Sequence, residues 1–190
     1  MQRWSPEIIR YLYTAADHSR YYQDLARQLG AFLRPEDRVC DAGCGLGLLS
    51  RALLPYCAHV TAVDRSPAAV AALRARGEDP KLSALTGDIR ELPPRQPYDA
   101  MVFCLFGGTE VVVRRDFRRH QFSSGVRIAG HTAADMEREL QRRGLTYTAR
   151  RFTLEFGQPF LSLDDAQAFF RLYSRDGAVP SRQELAQRLE

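Results

Sequence analysis

The fold is decided by residues 39–47, which read Val39-Cys40-Asp41-Ala42-Gly43-Cys44-Gly45-Leu46-Gly47. An apolar strand end runs into glycines at alternate positions, and the helix-forming run 48–54 follows at once. Glycine lets the backbone take positive φ and lets a ligand approach the main chain. The helix that follows presents unpaired N–H groups. The stretch therefore predicts a strand, a sharp ligand-binding turn and a helix in succession.

The turn also contains a carboxylate, Asp41. A dinucleotide-binding turn holds a pyrophosphate, which a carboxylate so close to the glycines would repel, whereas a cationic or amino-bearing ligand would be attracted. Position 48 is leucine, so the third glycine or alanine of the dinucleotide fingerprint is missing. Both features disfavour a Rossmann dehydrogenase and favour a nucleoside with an amino group.

Around the turn, apolar segments alternate with helical patterns. Strands are predicted at 38–42, 59–63, 82–86 and 99–105, with helices at 46–56 and 67–76. This βαβ order predicts an α/β fold, a doubly wound and mostly parallel sheet with helices on both faces. Two extra amphipathic helices, opened by Ser5-Pro6 and by Ser19, are predicted before the turn.

The pattern breaks after the strand 99–105. The next apolar run, 111–113, follows after about five residues, whereas a parallel crossover needs about a dozen or more. Either Gly107-Gly108-Thr109 turns a hairpin that makes 110–116 antiparallel, or the sequence omits a segment between about 106 and 111. We expect the omission, because the earlier connections are regular crossovers.

The last third of the chain is predicted to be mainly helical. Thr132-x-x-Asp135 resembles a capping box for a helix to about Arg143, and Ser162 and Ser181 open two further helices. Residues 145–156 alternate like a strand, and no strand is visible after the last helix.

The composition of the chain indicates the number of domains, the cellular compartment and whether a metal is bound. With 190 residues, 45% of them hydrophobic, we expect one domain, made of an amino-terminal helical cover (1–34) and an α/β core (35–190). We find no membrane-spanning or secretory segment and expect a cytoplasmic protein. Cys40 and Cys44 are not followed by a third cysteine at position 47, so no metal site is expected.

Two further carboxylates follow predicted strands. Asp64 ends the second strand, where it can accept hydrogen bonds from both hydroxyls of a ribose, and Arg65 directly follows it. After the third strand, Asp88 can accept from an adenine amino group and Ile89 can pack on the ring. Strand ends of a parallel sheet share one edge, so these residues are predicted to meet the glycine turn.

At this point the chain resembles the class I S-adenosylmethionine-dependent methyltransferases. The resemblance lies in the acid and glycine motif at 41–47, in Asp64, in Gly87-Asp88-Ile89 and in residues 98–103. It implies that S-adenosylmethionine is the cofactor. It also implies that Asp41 and the turn, with Gly43, Cys44, Gly45 and Gly47, hold the methionine end, while Asp64 holds the ribose and Asp88 with Ile89 the adenine.

The sequence predicts the methyl acceptor less directly than it predicts the cofactor. Methyl transfer is an in-line displacement that needs mainly alignment and exclusion of water. If an acceptor hydroxyl must lose its proton, His120 is the best placed base, just beyond the predicted fifth strand. Tyr21 and Cys104 are expected to wall the site, and a small aromatic or acidic acceptor is expected.

Two alternatives stay open. The arginine pairs at 114–115, 118–119, 142–143 and 150–151 could hold RNA phosphates, which would make the protein an RNA methyltransferase. The chain could also be a catalytically silent subunit that binds S-adenosylmethionine. The oligomeric state cannot be read from the sequence.

Overall fold

The structure is a computed structural model that describes residues 4–91, 98–104, 120–123, 132–174 and 179–189. The chain divides into two compact units: Tyr21–Leu154 forms the larger, and Met1–Arg20 with Glu155–Glu190 forms the smaller. The predicted helical cover 1–34 is thus divided between the units. The single-domain organisation stays a prediction.

The larger unit is built on a five-stranded sheet of order β3-β2-β1-β4-β5. Every strand pairs in parallel with its neighbours. This confirms the predicted doubly wound parallel sheet. The strands are β1 (Arg38–Ala42), β2 (His59–Asp64), β3 (Leu82–Thr86), β4 (Ala100–Phe103) and β5 (His120–Ser123).

Seven α-helices are described in the two units, and several begin at the predicted caps. Ser66 accepts from the N–H of Ala69, and Thr132 forms a capping box with Asp135. Serine and threonine at these positions satisfy N–H groups that the first helical turn leaves free. The larger unit holds α2 (Tyr21–Gly30), α3 (Leu48–Leu53), α4 (Pro67–Ala75) and α5 (Ala133–Arg142); the smaller holds α1 (Pro6–His18), α6 (Leu163–Tyr173) and α7 (Arg182–Arg188).

Successive residues of β1 and β4 point to opposite faces of the sheet, as the strand period requires. Val39, Ala100 and Val102 belong to one core cluster with residues of α2 and α3. Cys40, Ala42, Met101 and Phe103 belong to a second cluster, which also contains Met136 of α5. Helices therefore cover both faces, as predicted.

One prediction on the strands is wrong. The predicted strand 145–156 is not formed, and Leu145 and Tyr147 are exposed, because their alternation faces solvent rather than a core. The strand that pairs with β4 lies at His120–Ser123, a stretch too polar for an apolar pattern to predict. The connection 104–119 is long enough for a parallel crossover of about a dozen residues, so it needs no omitted segment. The predicted hairpin and strand at 107–116 lie outside the described residues.

In the smaller unit, α1 and α6 are joined through Tyr11 and Asp165. Tyr11 is 1% exposed and its hydroxyl donates to Asp165, 2.8 Å from Oδ1 and 2.9 Å from the carbonyl oxygen. The Arg10 guanidinium contacts the same carboxylate at 2.7 Å. Edge-to-face contacts with Phe160 and Phe169 surround the Tyr11 ring. The helices predicted from Ser5, Ser162 and Ser181 are confirmed.

Gly47 and Gly144 provide a matched test of helix packing at the glycine turn. Both have positive φ, +67° and +64°, but a Cβ on Gly47 would lie 2.4 Å from Cδ1 of the buried Leu73, whereas a Cβ on Gly144 would meet nothing within 4 Å. Gly144→Ala should cost about 1–2 kcal/mol of unfolding free energy for the left-handed backbone, and Gly47→Ala about 1–3 kcal/mol more for overpacking. Urea unfolding measures the difference; equal losses would show that α4 does not constrain the turn.

Candidate active site

The glycine turn is held against the end of β2. Gly43, Gly45 and Gly47 have φ of 74°, 53° and 67°. The N–H groups of Gly43 and Cys44 donate to the Val63 carbonyl at 2.8 and 3.0 Å, and the N–H of Gly47 donates to the Cys44 carbonyl at 2.9 Å. The left-handed backbone thus turns these donors inward, so they are not free to bind a phosphate.

Asp64 connects the turn to the next helix. Its Oδ2 accepts the N–H of Gly45 and its Oδ1 accepts the N–H of Ser66, both at 2.8 Å. A carboxylate oxygen has two lone-pair positions, so within the described part of the chain one acceptor position remains on each oxygen. Two acceptors on one half-buried carboxylate match the two hydroxyls of a ribose.

Asp41 lies beneath the turn rather than on its surface. It is 2% exposed, and Ser50 Oγ on α3 donates to its Oδ2 at 2.5 Å. Burial raises the pKa of Asp41 from 3.8 to about 6, the Ser50 hydrogen bond opposes this rise, and the nearby Asp64 charge adds to it. At neutral pH the carboxylate is mainly ionised and places a negative charge behind the turn.

Asp88 follows β3 at the same edge of the sheet and is closely paired. The N–H of Arg90 donates to Oδ1 at 2.9 Å, the Arg90 guanidinium contacts both oxygens, and Arg65 Nη1 lies 3.7 Å from Oδ2. These contacts, led by Arg90, lower the pKa of Asp88 well below its usual range. Ile89 is 4% exposed within the second core cluster. Its predicted place on an adenine ring stays a prediction.

Tyr21 and Cys104 come together near the end of β4. Tyr21 packs edge-on against Tyr22 with ring centroids 5.1 Å apart, and both tyrosines and Cys104 pack against the first core cluster. Burial raises the pKa of Tyr21, and electrostatic interaction with Cys104 raises it further. Cys44, in the turn, is also largely buried, and this burial holds the pKa of its thiol far above the usual range. The Tyr21 hydroxyl and the Cys44 thiol are therefore neutral at physiological pH, and both suit a wall of the site.

His120 lies elsewhere than expected. It begins β5 and pairs with Ala100 at the start of β4, whereas the carboxylates follow the carboxyl ends of the strands. Three residues of strand separate it from Ser123 at that edge, about 10 Å. It therefore lies within a strand and not beyond one. This backbone position does not favour its role as a base, which stays a prediction.

The structure shows partners for some of the arginines that could hold RNA phosphates. Arg142 and Arg143 both bind Glu139, at 2.7 and 2.6 Å, and the Arg150 guanidinium lies 4.7 Å above the centre of the Phe32 ring. These arginines have partners within the protein. The pairs at 114–115 and 118–119 lie outside the described residues.

Two polar residues of the site were missed from the sequence, Ser50 and Arg90. Ser50 occupies a fully buried position of α3, and a polar side chain on the apolar face of a predicted helix was the available signal. Arg90 stands two residues after Asp88. Among the described residues, no cluster of histidine, cysteine or acidic side chains could hold a metal ion, and no helix there has the length and apolar character to cross a membrane.

A parallel sheet whose order reverses beside β1, with a glycine turn after β1 and an acid after β2, defines a doubly wound nucleoside-binding protein. Residues 39–122 match the family model described as a methyltransferase domain. The matched region is similar to the class I S-adenosylmethionine-dependent methyltransferases, the family that its motifs resemble, and S-adenosylmethionine is the cofactor of this family.

Two curated relatives are similar to part of the chain. A ubiquinone biosynthesis O-methyltransferase from Xylella fastidiosa is 40% identical over 70 residues, covering 34% of this chain and 28% of the relative. A trans-aconitate 2-methyltransferase from Streptomyces avermitilis is 33% identical over 107 residues, covering 52% of this chain and 38% of the relative. The match thus spans well under half the length of either relative.

A solved structure extends the likeness in fold. Magnesium protoporphyrin IX methyltransferase from Synechocystis PCC 6803, solved with S-adenosylmethionine bound, superimposes with a TM-score of 0.53 at 21% identity. The superposition covers 82% of this chain and 96% of that chain. It supports the fold.

Asp41 generates a pH-dependent prediction. Burial of the carboxylate costs stability above pH 6, and the wild type regains stability as protonation proceeds from about pH 6 towards 3.8. Asp41→Asn, which can still accept from Ser50, should raise the unfolding free energy by up to about 3 kcal/mol at pH 7.5 and about half of that at pH 5. Ser50→Ala should destabilise, more at pH 7.5 than at pH 5. Urea unfolding at both pH values measures these effects; an equal gain from Asp41→Asn at both would contradict the raised pKa.

Proposed function

We propose that this chain is a methyltransferase that uses S-adenosylmethionine to methylate a small-molecule acceptor. The observation that carries the proposal is the hydrogen bonding of the glycine turn: the N–H groups of its three glycines and of Cys44 donate to Val63, Cys44 and Asp64, and two carboxylates lie at or beneath it. Such a site repels a pyrophosphate and favours a ligand with an ammonium group and hydroxyl donors. S-adenosylmethionine carries both.

The residues of the site fit the parts of the cofactor in order. The remaining acceptor positions of Asp64 suit the ribose hydroxyls, and Asp88 lies at the next strand end for the adenine. Asp41 is too buried for broad contact, so it acts on the ammonium group of the methionine mainly through its charge. The half-buried backbone at 43–45 leaves room for the methionine chain to pass close to the main chain.

When bound, the cofactor supplies a sulfonium-linked methyl group for in-line displacement by the acceptor. The chain's own task is to hold that methyl group in line with the acceptor atom and to exclude water. Tyr21 and Cys104, at the end of β4 next to the turn, are proposed to form the wall on the acceptor side. Because burial raises the pKa of Tyr21 above its ordinary value, Tyr21 positions the acceptor rather than takes its proton.

A small acceptor is supported by two of the relatives. One is named for trans-aconitate, a polycarboxylic acid, and another for O-methyl transfer in ubiquinone biosynthesis. Together they favour an acidic or aromatic acceptor. The partners found for Arg142, Arg143 and Arg150 favour small molecules over RNA. A cytoplasmic location is proposed with this function.

Methyl transfer from radiolabelled S-adenosylmethionine tests the proposal. The acceptors are small phenols, polycarboxylic acids, a protein-free metabolite extract and total RNA. We expect label in a small molecule with the wild type and with Asp79→Ala, a matched control that loses a carboxylate outside the turn, which accepts the Lys81 N–H. Asp64→Ala should lose the label.

Label in RNA alone would support the RNA methyltransferase instead. Binding of S-adenosylhomocysteine without transfer to any acceptor would support the silent cofactor-binding subunit. Either result would overturn the small-molecule assignment.

A further inference from the structure

The carboxylate proposed to receive the adenine is already fully engaged. Oδ1 of Asp88 accepts from the N–H and the Nε of Arg90 at 2.9 and 3.0 Å. Oδ2 accepts from the Nε of Arg90 at 3.0 Å and from its Nη2, and Arg65 approaches it to 3.7 Å. Since each carboxylate oxygen has two lone-pair positions, a further donor can bind only where a present one leaves.

The donor able to leave is the Arg90 side chain. The backbone N–H of Arg90 is fixed by the turn that follows β3, whereas the Arg90 side chain is 60% exposed. The Asp88 side chain is only 12% exposed, but an ion pair with an exposed partner contributes only about 0–1 kcal/mol, because water solvates the departing guanidinium and the long side chain regains the freedom that it loses in the pair. Displacing the guanidinium therefore costs little, and the backbone N–H keeps Asp88 oriented when it leaves.

We propose that Arg90 competes with the adenine amino group for Asp88 and thereby sets the affinity and base selectivity of the cofactor site. This inference rests on the proposed function, because it assigns Asp88 to the adenine. With Arg90 on Asp88 the site is closed to the amino group; with Arg90 swung into solvent, one acceptor position on Oδ1 and both on Oδ2 open.

The chemistry of the base makes the competition measurable. Adenine presents an amino donor at N6, whereas hypoxanthine presents a carbonyl oxygen there. A free Asp88 carboxylate accepts from the amino group and repels the carbonyl. The Arg90 guanidinium does the reverse, because it can donate to the carbonyl but only displace the amino group. Removing Arg90 should therefore help an adenine ligand and harm a hypoxanthine ligand.

The experiment is calorimetric titration of S-adenosylhomocysteine and S-inosylhomocysteine into the wild-type chain, Arg90→Ala and Arg90→Gln. Arg138→Ala is the matched control, since Arg138 also pairs with an aspartate, Asp135, and is 74% exposed. Both Arg90 variants should bind S-adenosylhomocysteine about two- to fivefold more tightly, the fold-change that corresponds to an exposed ion pair. Neither should bind S-inosylhomocysteine more tightly, and Arg138→Ala should match the wild type with both ligands.

The outcomes separate this proposal from the one on which it rests. If Arg90→Ala and Arg90→Gln, with wild-type circular dichroism, leave the ratio of the two affinities unchanged or bind S-adenosylhomocysteine more weakly, Arg90 supports the adenine instead of competing with it. That result would overturn the inference and leave the methyltransferase assignment standing. If neither the wild type nor any variant binds S-adenosylhomocysteine, the proposed function itself fails.

Discussion

The glycine turn of this protein depends on its attachment to the end of β2. Val63 accepts two of its N–H groups and Asp64 accepts a third. A backbone with three glycines at positive φ would otherwise sample many conformations, because glycine loses the most entropy on ordering. The attachment to β2 fixes the conformation of the turn and engages these N–H groups in hydrogen bonds within the protein. As a result the acceptor oxygens of the aspartates, rather than the amide groups of the turn, are left to recognise a ligand.

The same attachment explains why several elements meet at one place. Asp64 also accepts the N–H of Ser66, whose hydroxyl caps α4. Leu73 of α4 in turn lies where a side chain on Gly47 would be. Strand, turn and helix therefore constrain one another through contacts of a few atoms. The sheet order places this assembly beside the gap between β1 and β4, where ligands of doubly wound folds bind.

Most of the sheet could be predicted, because the signals of β1, β2 and β3 are local. Each is a short apolar run bounded by turn residues, and Ser66 and Thr132 cap the helices where their spacing indicates. Strand β5 could not be predicted, because His120-Gln121-Phe122-Ser123 pairs through its backbone and lacks an apolar pattern. The strand prediction for 145–156 was wrong for the converse reason: the alternation of apolar residues is present, but no described strand pairs with this segment.

The positions of the candidate site residues at the strand ends could be predicted from the sequence. Asp41, Asp64 and Asp88 follow from their positions relative to the strands. The hydrogen-bond partners of these aspartates could not be predicted from the sequence. The contact of Ser50 with Asp41 depends on how α3 packs, and the contact of Arg90 with Asp88 depends on the turn after β3. Burial of Asp41 and engagement of Asp88 are tertiary properties, and both change how a ligand would be held.

The central claim is that Asp64, fixed by the turn, holds the two hydroxyls of a ribose. Titration calorimetry of the wild-type chain with S-adenosylhomocysteine and with its 2′,3′-dideoxy analogue measures this interaction most directly. A hydrogen bond to a charged group contributes about 1.5–3 kcal/mol, so the analogue should bind at least about tenfold more weakly. Equal affinity for the two ligands would contradict the assignment of Asp64.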